Sequence, residues 1–402
     1  MSKPWRMLAW LSVAEFLGMT LWFSATAVVP ALAADFRLDD STAAWMTMSV
    51  QAGFVVGTLT SALLNLSDVL RVRRLFALGC VLGAAANGGI AWASGSGQVI
   101  VLRFVTGVAL AAVYPPGMKI AAGWFDDRRG SALGVLIGAL TIGTAFPHLL
   151  SALGGAISWR ILILSASGLA LVSALVILVA VDDGPYVAAS APFNPHVVRQ
   201  AFTTRGTRLA ILGYLGHMWE LYAMWAWVAV FASFGLTGAA GSQAGSLAAF
   251  MAIGSGVIGC VWAGFVADRV GKPQVAGAAM MASGACAALS GFAFHAPAMV
   301  LDALLLMWGI TIVADSAQFS ALVADYSPRE YVGTALTIQT CLGFLLTMAS
   351  IRLLPVVASF TGWQWVFVAL VPGPVLGTVA MWRLGAGRLG VERRADARGA
   401  QL

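Results

Sequence analysis

The chain has 402 residues, 60% of them hydrophobic and only 10% charged, with a formal net charge of +6 and a mean hydropathy of +0.87. A soluble domain carries about 25% charged residues, so this depletion excludes a soluble globular protein and points to a polytopic membrane protein. The positive balance would suggest nucleic acid in a soluble chain, but the basic residues here sit in short connections, where they set orientation in a bilayer, and no nucleic-acid partner is expected.

A helix crossing a hydrocarbon core of about 30 Å needs roughly 20 mostly apolar residues. Twelve runs meet that demand, at 7–33, 43–66, 75–94, 98–122, 131–153, 158–181, 207–235, 243–267, 274–294, 297–324, 331–357 and 363–383. The first is too long for a signal-peptide core and is read as a retained span. The longest connection, 182–206, holds Pro185, Pro192 and Pro195 and divides the spans six and six. The expected organisation is an N-terminal bundle over 1–181, a cytoplasmic linker over 182–206, a C-terminal bundle over 207–383 and a cytoplasmic tail over 384–402. Alternate connections carry Arg71, Arg73, Arg74, Arg128, Arg129, Arg199, Arg205, Arg269, Lys272 and Arg329, which places them and both termini inside.

The two halves repeat. Arg129-Gly130-Ser131-Ala132-Leu133 matches Val332-Gly333-Thr334-Ala335-Leu336, and Ser158-Trp159-Arg160 matches Gly362-Trp363-Gln364. The first and seventh spans share Glu-x-x-x-Met-x-x-Trp, at Glu15, Met19, Trp22 and at Glu220, Met224, Trp227. A loop, Gly264-Phe265-Val266-Ala267-Asp268-Arg269-Val270-Gly271-Lys272, has a worn copy at Leu64 to Arg74 that keeps Asp68 and the trailing basic residues but neither glycine. All four matches occur in the same order at an offset close to 200 residues.

Twelve spans divided six and six, with the Gly264 to Lys272 loop, resemble the major facilitator superfamily over nearly the whole chain. Arg103-Phe104-Val105-Thr106-Gly107 in the fourth span looks like that family's arginine-and-glycine motif. The resemblance implies an all-α integral membrane protein with two pseudo-symmetric six-helix bundles around a central cavity. The first, fourth, seventh and tenth spans would line that cavity, and the halves would rock about a midplane site.

A charge at bilayer depth costs at least about 2.5 to 3.5 kcal/mol on insertion scales, so charged residues inside spans are site candidates. His217 and Glu220, three apart on the seventh span, share a helix face and could hold one proton between them. Glu15 is at the matching place of the first span, facing either the cavity or the cytoplasmic mouth. Trp22 and Trp227 are candidate stacking walls or packing residues. Arg103, whose counterpart in the family is tied to proton movement or helix contacts, and Asp315, in the polar patch Asp315-Ser316-Ala317-Gln318, are further candidates. Asp315 is expected to meet Tyr114, Arg103 or Arg352. Tyr114-Pro115-Pro116 should bend the fourth span by removing two backbone donors. Lys119, Arg160 and Asp302 are read as residues of span ends, and His148 as loop-proximal. At the inner surface Gly264, Asp268, Arg269 and Lys272, with Asp68 and Arg71, are placed to latch the halves, Asp268 with Arg269 and Asp68 with Arg71.

Cys80, Cys260, Cys286 and Cys341 fall in apolar runs without metal-like spacing. With no nucleophile triad, metal-ligand cluster or phosphate-cradling loop, neither an enzyme nor an ATP-driven pump is expected, and no cofactor beyond a coupling proton. The expected function is secondary transport of a small organic solute, conceivably an anion held by Arg103 or Arg352, by a monomer in the bacterial inner membrane. A proton-driven multidrug exporter is the alternative within transport, and a non-transporting receptor or scaffold the alternative outside it. The Gly143-Thr144-Ala145-Phe146-Pro147 stretch departs from the family's exporter motif, which weakens the antiporter reading.

Overall fold

In hydrocarbon every backbone polar group must be satisfied within its own segment, so long apolar runs become helices. The computed structural model describes residues 2–37, 40–125, 128–154, 158–186, 198, 202–328 and 331–399, with backbone alone for residue 40 and for 387–399. Arg199, Arg329 and most of the linker, including Pro192 and Pro195, lie outside the described residues. Among the described residues there is no strand, and eleven helices are long and apolar enough to cross a membrane. They fall within a few residues of the second to twelfth expected runs. The last helix departs at its end: Pro372–Gly399 continues through most of the expected tail.

The first expected run, 7–33, is not one helix. It is divided into Lys3–Met19 and the pair Thr26–Val28 and Val29–Phe36, with turn conformation over 20–25 between them. Hydroxyl side chains compete with the backbone there: Thr20 Oγ1 donates to Leu17 O (2.7 Å) and Ser24 Oγ to Leu21 O (3.0 Å). The fourth span breaks as its prolines require, into Ser96–Leu110 and Tyr114–Trp124. The tenth breaks at the corresponding place without any proline, into Ala298–Ile312 and Ser316–Tyr326, with Asp315 as the residue before the second helix. The seventh, Arg205–Thr237, is continuous.

Within each half the same close approach is repeated. A methyl added to Gly107 in the fourth span would overlap the Val50 carbonyl of the second, and one added to Gly309 in the tenth would overlap the Ala252 carbonyl of the eighth. Between halves, the fifth span (Arg129–Gly154) packs along the eighth (Gln243–Val270), and the second (Asp40–Leu63) against the eleventh (Val332–Thr361). A Cβ on Gly134 would lie 2.9 Å from Cys260 O, so these two spans meet at backbone distance. The start of the linker is fastened to the N-terminal half: Arg73 Nη1 donates to Val181 O (2.6 Å) and pairs with Asp183 (3.3 Å), and Trp124 Nε1 donates to Asp182 O (2.8 Å).

Candidate substrate and coupling site

The centre of the molecule, where the halves meet, is filled by aromatic rings from both. Trp22 lies 5.1 Å from Phe54, and 5.6 Å from both Tyr222 and Phe344. Phe54 and Phe344 meet at 4.5 Å, Tyr222 and Phe344 at 5.0 Å. The chain of rings continues outward through Trp225 and Phe23 to the His148 imidazole, and inward from Phe54 to Tyr114. Only Trp22 and Tyr114 of this set were expected. Phe54, Tyr222 and Phe344 carried no signal, because an aromatic ring facing lipid and one facing a partner helix look alike in an apolar run.

Around these rings stand buried polar side chains with no hydrogen-bond partner among the described residues: both oxygens of Glu15, both ring nitrogens of His148, the indole nitrogens of Trp22 and Trp225, and the amides of Gln51 and Gln339. Glu15 is fully buried about 18 Å along its helix from Lys3, which removes it from the cytoplasmic mouth. Its Oε2 faces Gly117, where an added Cβ would be 2.5 Å away, one helical turn from Tyr114. His148, expected near a loop, is completely buried. Gln51 and Gln339 had a signal that passed unused, since an amide in a span is itself costly unless it meets a partner.

Arg103, Asp315, His217 and Glu220 each have partners. Arg103 donates through Nη1 to Leu21 O (2.8 Å), Ser24 Oγ (3.4 Å) and Asn87 Oδ1 (3.3 Å), through Nε to Met46 O (3.3 Å), and through Nη2 to Trp22 O. Its guanidinium thus satisfies the carbonyls released by the break in the first span. Asp315 pairs with neither Arg103, Arg352 nor Tyr114; its Oδ1 lies 2.8 Å from His217 Nδ1, and Ser316 Oγ lies 3.0 Å from His217 Nε2. Glu220 does not share a proton site with His217 either. It accepts from Ser283 Oγ (2.8 Å) and Trp308 Nε1 (2.7 Å). Helix spacing put His217 and Glu220 on one face, but the ninth and tenth spans supply their partners. Arg352 is half-buried and has no partner among the described residues.

Trp227 is separate from the centre. It donates to Ile351 O (3.0 Å) and lines a cavity of about 260 Å³ near the expected outer end, together with Thr47, Ser151 and Gln243. Among the described residues, no Asp, Glu, Lys, Arg or His lines that cavity.

At the expected inner end Asp68 pairs with Lys119 of its own half (2.5 Å), in place of Arg71, and Lys272 with Asp325 (2.6 Å), again within one half. The contact between halves is made by the glycines. A Cβ on Gly264 would be 3.2 Å from Gly130 O, and one on Gly130 would be 3.6 Å from Asp268 Oδ1. Asp268 therefore stands at the first turn of the fifth span, where the helix N-terminus favours a carboxylate, instead of pairing with Arg269.

Two helical bundles closing on a buried polar and aromatic centre define a carrier-type membrane protein. The pattern that describes the Major Facilitator Superfamily matches residues 11–314, and the chain belongs to that superfamily. An uncharacterised MFS-type transporter of Bacillus subtilis, YwoD, is 28% identical over 102 residues, 25% of this chain and 22% of that protein. The hexuronate transporter of Escherichia coli is 25% identical over 141 residues, 35% of this chain and 32% of that one. The matches thus span a third or less of these relatives' lengths. Among solved structures, the E. coli xylose transporter XylE in a partially occluded inward-open conformation superposes with a TM-score of 0.74 at 14% identity, over 95% of this chain and 98% of that one. The nucleoside transporter NupG gives 0.71 at 16% identity, over 94% and 99%. At these identities the two structures speak for the fold alone.

Proposed function

We propose that this chain is a secondary active transporter of a small organic solute in a bacterial inner membrane, working by alternating access with proton coupling. The observation that carries this reading is the set of buried, unpartnered polar side chains in both halves, Trp22 among them at the ring cluster where the halves meet. Each costs about 1–3 kcal/mol in the closed arrangement, a cost that is removed when the halves part and water or solute reaches the centre. A rigid scaffold has no use for that arrangement; a protein that alternates between two packings does. Glu15, Glu220 and the His217–Asp315 pair are the groups that would hold the coupling proton.

Reconstituted protein in vesicles with an imposed pH gradient tests this directly. Solute flux should follow the gradient, and Glu15→Gln, Glu220→Gln and Asp315→Asn should uncouple or abolish it. Unchanged gradient-driven flux in all three would refute proton coupling through these residues. A second reading, an organic anion, is favoured by the name of the hexuronate relative. It would need a free basic group at the centre, and all three nitrogens of the Arg103 guanidinium are already hydrogen-bonded within its own half.

A further inference from the structure

Most charged groups near the centre are already engaged within the protein. Arg103 donates to five acceptors of the first three spans, Leu21 O, Trp22 O, Ser24 Oγ, Met46 O and Asn87 Oδ1, all within its own half. His217 and Asp315 face each other at 2.8 Å, and Glu220 is held by Ser283 and Trp308. Lys119 is at the inner surface with Asp68. Arg352 follows Ile351, whose carbonyl binds Trp227 beside the outer cavity, so it belongs to that outer level. What remains unengaged at the centre is the Glu15 carboxylate and, at the far end of the ring chain, the His148 imidazole.

Glu15 Oε2 faces Gly117, and one turn earlier on the same face of that helix stands Tyr114, the first ring of the cluster. Tyr114 stacks on Phe54 at 6.5 Å with the rings 28° from parallel, and Phe54 meets Trp22 and Phe344, which meet Tyr222. Ring faces attract positive charge and repel negative charge, by about 0.5–2 kcal/mol for each well-placed cation. The rings of the cluster are mostly tilted to one another, by 46° between Phe54 and Phe344 and 57° between Trp22 and Phe54, so several present a face toward their neighbours, and a carboxylate one helical turn from Tyr114 adds an attraction of the same sign. The rings come from both halves, Trp22 and Phe54 from one and Tyr222 and Phe344 from the other, so a solute seated among them would touch both.

We infer that the central site takes an organic cation, a protonated amine or quaternary ammonium on an apolar or planar body, with its charge toward Glu15 and its body among Trp22, Phe54, Tyr222 and Phe344. The inference rests on the transporter reading above for its biological meaning, but the site itself stands on the side chains. It assigns the solute the sign opposite to that of a hexuronate. It also gives Gly117 a specific role: any side chain there would push on Glu15 Oε2.

The test uses the purified full-length protein and three probes that share a benzyl or phenyl group and differ in charge: benzyltrimethylammonium, benzyl alcohol and benzoate. Binding is read from quenching of tryptophan fluorescence, since Trp22 and Trp225 are at the site. Benzyltrimethylammonium should bind saturably and at least about tenfold more tightly than benzoate. Glu15→Gln should weaken the cation by about tenfold and leave benzyl alcohol unchanged; Glu15→Asp should keep the preference for the cation. Gly117→Ala, which retains the carboxylate but displaces it, should weaken the cation with the protein still folded. Tighter binding of benzoate, no saturable binding of the cation, or full cation affinity in Glu15→Gln would overturn the inference. Flux separates it from the transporter reading. Cation binding without flux of any probe upholds the site and defeats transport, whereas benzoate flux that ignores Glu15→Gln upholds transport and defeats the site.

Discussion

Glu15 and Glu220 occupy matching places in the two halves, yet their surroundings are opposite. Glu220 accepts from a hydroxyl and an indole and is held on a continuous helix. Glu15 accepts from nothing described and lies on a helix that ends four residues later. The positively charged clamp is on the other side as well: Arg103 secures the broken first span, while the seventh span needs no such support. Repetition in the sequence has thus preserved positions and divided the work. The C-terminal carboxylate is part of a finished hydrogen-bond network, and the N-terminal one is left for something that arrives.

The strongest way to break this comparison is Arg103→Ala. It strands the Leu21, Trp22 and Met46 carbonyls in the interior, and loss of about 3 kcal/mol or more of stability is expected, seen as a large fall in thermal unfolding temperature in detergent. Arg103→Lys, a point charge in place of a planar fork, should recover only part of it. Next in size is Gly134→Val, which intrudes on the Cys260 carbonyl and should hold the halves apart on the inner side. The expected result is folded protein with flux abolished and inner-surface positions more accessible to thiol reagents. The comparison itself is sharpened by the paired carboxylates. Glu220→Gln should destabilise by about 1–2 kcal/mol by disturbing the bonds from Ser283 and Trp308, whereas Glu15→Gln should be neutral or stabilising, because it replaces a buried carboxyl that has no partner to lose. Equal losses would show that Glu15 has a structural partner after all. The smallest effect is expected at the inner surface, where Asp268→Asn should impair flux more than Asp68→Asn. Asp268 touches the other half at Gly130, while Asp68 is bound to Lys119 of its own.

Much of the architecture was legible because bilayer thickness sets run length and proline announces its own break. The twelve runs and the bend at Tyr114-Pro115-Pro116 follow from those two rules. The breaks in the first and tenth spans did not, since Thr20, Ser24 and Val313 are ordinary span residues and the hydroxyl bonds that compete with the helix are visible only in three dimensions. Site residues divide in the same way. Charges inside spans could be found by their cost, so Glu15, Arg103, His217, Glu220 and Asp315 were all singled out. Their partners could not, because helix periodicity in a membrane does not say which face meets another helix: Ser283 and Trp308 gave no sign of belonging to Glu220, nor Asn87 of belonging to Arg103.

The clamp on the first span bears on how the protein is made. Lys3–Met19 is 17 residues, about 25 Å of helix, short of a typical hydrocarbon core, and the turn that follows it holds the Leu21 and Trp22 carbonyls, which lipid cannot satisfy. Their donor is Arg103, in a span that leaves the ribosome some eighty residues later. Until then the opening segment is an incomplete membrane helix, and Arg103 is a charge without a place to go. Each becomes tolerable in the bilayer through the other, so the first four spans should settle as one cooperative unit and not as helices inserted one by one.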